Sequence, residues 1–164
     1  MIPILILFHV LLCCLAIGFG SLTLLGMLRR RLIVGRMIWF LRCSLGSNVA
    51  ALFLSLHRLI PAQHVAMVSI YAAGLVILAW RAFHFTGAWR PTFAFALAII
   101  LYLNIVALSI QMPAVCVETW FIFQTALFMA ALSTGILAAR RFSPKTAAKA
   151  LGHRGVFGRP AVRF

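Results

Sequence analysis

The 164 residues are 65% hydrophobic and only 10% charged, whereas an ordinary globular domain is about a quarter charged. Fifteen of the charges are Lys or Arg and the single acid is Glu118, giving a formal net charge of +14 and a pI near 11.8. The composition excludes an ordinary water-soluble domain. The basic residues also stand in short groups beside apolar runs, which suits topology control and anionic headgroups and argues against nucleic acid as a partner.

Four charge-free runs, residues 1–28, 59–80, 91–117 and 119–139, are each long enough to cross a bilayer, and a shorter fifth covers 43–57. About 20 apolar residues in a helix span the roughly 30 Å of hydrocarbon, and one charge at its centre costs a few kcal/mol. The expected fold class is therefore all-α: a polytopic transmembrane bundle of about five spans.

The first span is expected over 2–28, with Pro3 tolerated in its first turn. No basic residue precedes it, and Arg29, Arg30 and Arg31 follow it. This pattern reads as an uncleaved anchor with its N-terminus outside rather than as a signal peptide. Leu12 before Cys13 also argues against a lipoprotein cleavage site.

The second span, expected over 37–60, is the weakest. Its charge-free centre is short, but Arg42 and Arg58 flank it and long Arg side chains snorkel to the interface. Trp39 would lie at headgroup level, and Pro61 makes a sharp stop. His64 is placed in the loop that follows.

The third span is expected over 65–80, ending at Trp80 and Arg81, and a loop of residues 82–90 follows. Pro91 opens the fourth span, 91–112, and Pro113 closes it. The fifth runs over 119–139 and stops at Arg140 and Arg141. Residues 142–164 form a basic tail, with a short helix expected from Ser143 as N-cap to Gly152. With the N-terminus outside and five crossings, fourteen of the fifteen basic residues face the cytoplasm and only Arg58 falls outside with Glu118.

Chemistry in a membrane usually shows itself as an ionisable residue at depth. The span cores here hold no Asp, Glu or Lys, and neither HExxH nor GxSxG occurs. Catalytic residues and metal ligands are therefore not assigned. No CxxC occurs, and Cys13, Cys14, Cys43 and Cys116 read as small hydrophobes. Haem between His9 and His57 would need further histidine pairs, which are missing, so no cofactor is expected and a hydrogen-bonded histidine is the favoured reading. A metal site from His64, Cys116 and Glu118 is weaker still.

The informative polar residues are amides. Asn48 and Asn104 fall near the middles of spans two and four at matching depth, and are expected to pair across a helix interface. Gln111 and Gln124 lie toward the outer ends of spans four and five. A lone amide in hydrocarbon is costly unless hydrogen-bonded, so all four are candidate interhelical contacts. Close packing is expected at Gly18, Ser21 and Thr23, at Gly46, Ser47 and Ala50, and at Ala72, Ala73, Ala130 and Ala131.

Residues 61–64 (Pro-Ala-Gln-His), 71–74 (Tyr-Ala-Ala-Gly), 101–104 (Leu-Tyr-Leu-Asn), Gln111, Pro113 and 138–142 (Ala-Ala-Arg-Arg-Phe) together resemble a group of small, uncharacterised proteobacterial multi-spanning membrane proteins. The resemblance covers about residues 45–142, with a shorter loop between spans four and five here. It implies a bacterial inner membrane location and brings no activity. The expected role is a non-enzymatic accessory or assembly component, with a membrane-protein partner or a second copy of the chain. The alternative is a small-solute permease lined by Asn48, Asn104 and Gln124.

Overall fold

The computed structural model describes residues 2–54, 61–110 and 117–142. Within them the chain forms five helices: α1 (Ile2–Leu28), α2 (Val34–Leu54), α3 (Pro61–Arg81), α4 (Trp89–Ser109) and α5 (Val117–Arg141). There is no strand among the described residues. Four of the helices, α1, α3, α4 and α5, are long and apolar enough to cross a membrane. The protein is an all-α integral membrane helix bundle.

Each helix runs antiparallel to the next, which sorts the chain into two ends. Arg29, Arg30, Arg31, Arg36, Arg81, Arg90, Arg140 and Arg141 all come to one end, called here the basic end. Arg141 also donates from its guanidinium to the Leu28 carbonyl at 3.2 Å, tying the close of α5 to the close of α1.

The turn between α1 and α2 shows how locally this end is built. Arg30 adopts a left-handed backbone (φ 56). Arg31 N–H then bonds Gly26 O at 2.7 Å and Arg30 N–H bonds Met27 O at 2.9 Å, the paired bonds of a Schellman ending. Gly26 is required there, because a Cβ on it would stand 2.6 Å from the Arg31 carbonyl oxygen.

The α3–α4 connection closes the same end with aromatic rings. Phe85, left-handed at φ 60, is buried edge-on against Phe93 (4.7 Å between ring centroids) and Phe142 (5.3 Å). Ring burial offsets the strain of that backbone. The interior between α1, α2 and α4 is dominated by Met27, Met37, Phe40, Leu97 and Ile100, all fully enclosed. Gly20 permits it: a Cβ there would meet the Phe40 ring at 2.7 Å and Leu101 at 3.1 Å.

Several boundaries differ from the expected ones. α2 starts at Val34 rather than 37, because the compact turn leaves few residues outside a helix and Arg36 lies on an exposed face. Pro61 opens α3, whose first turn also holds His64, since a first helical residue needs no N–H. α4 starts at Trp89, two residues before Pro91, which still lies within the first turn where N–H groups go unused. α5 covers Val117–Arg141 rather than 119–139.

The close-packing expectations hold in part. Ala50, Ala72 and Ala73 are buried, and a Cβ on Gly46 would touch Leu12 at 3.1 Å. Gly18 and Ala130 are instead exposed. α5 turns Gln124, Gly135 and Ala138 inward, with Gly135 against Phe95 and Ala98, so Ala130 falls on the lipid-facing side. His57, Arg58, Gln111, Cys116, the Glu118 side chain and the expected tail helix lie outside the described residues.

Candidate functional site

α2 is the least obviously membrane-spanning helix by composition, yet it carries the bundle's polar centre. Ser44, Ser47 and Asn48, spaced i, i+3 and i+4, fall on one face of the helix and are all buried. Each meets a different neighbour. Ser44 Oγ accepts from the Asn104 amide of α4 at 2.8 Å, Asn48 donates to Ser69 Oγ of α3 at 2.8 Å, and Ser47 faces α1.

The α1 contact is a closed ring of donors and acceptors. His9 Nδ1 lies 2.9 Å from the carbonyl oxygen of Ser47. A carbonyl can only accept, so Nδ1 carries a proton, and in a neutral imidazole Nε2 then holds the lone pair. Cys13 Sγ lies 3.6 Å from that Nε2, so its S–H donates there. Ser47 Oγ, 2.9 Å from Cys13 Sγ, donates to the sulfur and sits 3.3 Å from His9 Nδ1. His9 and Cys13 are 2% and 0% exposed, so the thiol–imidazole pair is enclosed by protein in this arrangement.

A further contact joins α4 to α5: Gln124 Nε2 donates to Ser109 Oγ at 2.9 Å, and the Ser109 hydroxyl donates in turn to the Val106 carbonyl. Gln124 Oε1 is buried without a partner among the described residues. Asn104 also donates to Ile100 O on its own helix at 2.8 Å.

Of the candidate amides, Asn48, Asn104 and Gln124 thus each reach a serine on a neighbouring helix. Asn48 and Asn104 do not pair with each other, because equal depth says nothing of rotation about the helix axis. Gln111 lies outside the described residues. Ser44, Ser69 and Ser109 complete the three amide contacts without having stood out in the sequence, where serine is too common to be informative. His9 is hydrogen-bonded, as expected, but its ring with Cys13 and Ser47 is not apparent from the sequence. Its one signal was the i, i+4 spacing of His9 and Cys13, which puts both on one face of α1.

No three His, Cys, Asp or Glu side chains converge among the described residues. The contacts of His9, Asn48 and Gln124 lie in the half of the bundle away from the basic end, whereas the Arg141–Leu28 bond and the aromatic closure lie at it. Comparisons with protein-family models, with curated proteins and with solved structures found no match.

Proposed function

We propose that the chain is a non-enzymatic accessory or assembly component of a bacterial inner membrane, crossing it five times with the N-terminus outside and the basic end and tail at the cytoplasmic face. The observation that carries this reading is the use of the buried amides: Asn48 and Asn104 are engaged by Ser69 and Ser44, as expected of groups that hold helices together. The arginines gathered at one end support a cytoplasmic placement by the positive-inside bias and contact with anionic lipid. The resemblance of residues 45–142 to small proteobacterial membrane proteins agrees with that location.

The permease alternative asks Asn48, Asn104 and Gln124 to face one path. Their contacts fall at three different helix interfaces, α2–α3, α2–α4 and α4–α5, which favours the structural role. An accessory component is expected to leave native membranes, in mild detergent, as a complex larger than one chain, containing either a second copy or a defined membrane protein at fixed stoichiometry. A monodisperse single chain overturns the proposal. Glycerol or small-sugar uptake into proteoliposomes that Asn104→Leu abolishes without disturbing the fold would favour the permease.

A further inference from the structure

Arg42 lies two turns inside α2 from its basic end, on an exposed face of the helix. Its guanidinium stands 5.6 Å from the centroid of the Trp39 ring, one turn back toward the basic end. That ring is 53% exposed and backed by Phe19 of α1, with centroids 6.4 Å apart and planes inclined by 23°. Arg36, a further turn toward the end, is also exposed. The sequence Arg36-x-x-Trp39-x-x-Arg42 thus sets two cations about 9 Å apart along the axis and about 120° apart around it, flanking an aromatic platform braced by a second helix.

Among the described residues no carboxylate faces these charges. The only acid in the chain is Glu118, near the start of α5 at the other end of the bundle. The Trp39 ring partly compensates Arg42, but a guanidinium at the edge of hydrocarbon still needs a counter-charge. The only anions abundant at that depth are lipid headgroups, and guanidinium binds phosphate with paired hydrogen bonds.

We propose that Arg36, Trp39 and Arg42 form a binding site for a single anionic phospholipid. Its phosphate is held by the Arg42 guanidinium and approached by the long Arg36 side chain from the other side of Trp39, and its acyl chain runs from there along Phe19 between α1 and α2. The site rests on the reading of the bundle as membrane-spanning with its basic end at an anionic leaflet, and makes that general attraction specific to one groove.

The test is native mass spectrometry of the whole chain, delipidated and then offered phosphatidylglycerol or phosphatidylcholine with identical acyl chains. The wild type is expected to retain one phosphatidylglycerol and no phosphatidylcholine. The pair Arg36→Gln with Arg42→Gln is expected to lose it, while Arg29→Gln with Arg140→Gln, an equal change in charge, keeps it. Trp39→Leu, which leaves both cations, is expected to weaken retention. Variants are compared only where helical content matches the wild type, and Arg42→Lys provides a milder change that lowers retention by about tenfold through loss of paired hydrogen bonds. Equal loss from both double variants, or equal retention of the two lipids, overturns the site. Those outcomes leave the membrane reading standing. That reading fails separately if surface probes find the basic end outside the cell.

Discussion

Asn104 and Ser44 lie sixty positions apart in the chain, yet the amide nitrogen of one stands 2.8 Å from the hydroxyl oxygen of the other. The bond joins α4 to α2, helices that no single loop connects. It also turns the least apolar helix of the bundle into one held from inside. In lipid, helices gain little from apolar burial alone, because acyl chains are as apolar as leucine. Bonds of this kind and close packing have to supply the specificity.

A double-mutant cycle on this pair is the direct measure. Asn104→Leu and Ser44→Ala are each expected to lower stability in mixed micelles, with a coupling energy of about 0.6 kcal/mol, the average for interhelical bonds in lipid. Strictly additive losses would mean that the two side chains do not stabilise each other.

Gly20 gives a packing prediction of opposite character. A methyl group there would collide with the fully enclosed Phe40 ring. Gly20→Ala is expected to destabilise by about 1–3 kcal/mol, as overpacking does. Adding Phe40→Leu is expected to restore part of the loss. Chemical denaturation of the single and double variants reads both effects.

The ring formed by His9, Cys13 and Ser47 leaves no ligand atom of His9 idle. His9→Leu is expected to reduce stability by about 1–3 kcal/mol, because it leaves the buried Cys13 and Ser47 groups with fewer partners. The visible spectrum of the purified chain is expected to be flat and unchanged by the substitution. A haem absorbance band lost on removing His9 would show that the imidazole serves a cofactor instead.

Tags on the two termini test the crossing number. Five spans put them on opposite faces of the membrane, so a membrane-impermeant reagent applied to intact cells is expected to label the N-terminal tag alone. Identical labelling of both would make the count even and remove the proposed orientation.

Much of the helical frame was legible, because the exclusion of charge over twenty residues has few other physical causes. α1 occupies the residues its apolar run foretold, and Pro91 lies in the first turn of α4 as expected, whereas Pro61, expected as a stop before a loop, opens α3. The candidate site was legible only as a set of polar groups too costly to leave unbonded. The partner of Asn104 depends on how far α2 and α4 are turned about their axes, and sequence depth carries no information on that angle. Ala130 fails for the same reason: a small residue permits close approach without saying which face will make it, and Gly135 took that role.

The aromatic knot of Phe85, Phe93 and Phe142 sits at one mouth of the bundle, while the amide–serine and histidine contacts sit toward the other. The two halves will therefore answer to different insults. Competing donors such as urea loosen the hydroxyl-laced half first, and harsh alkyl detergents attack the ring-clasped half.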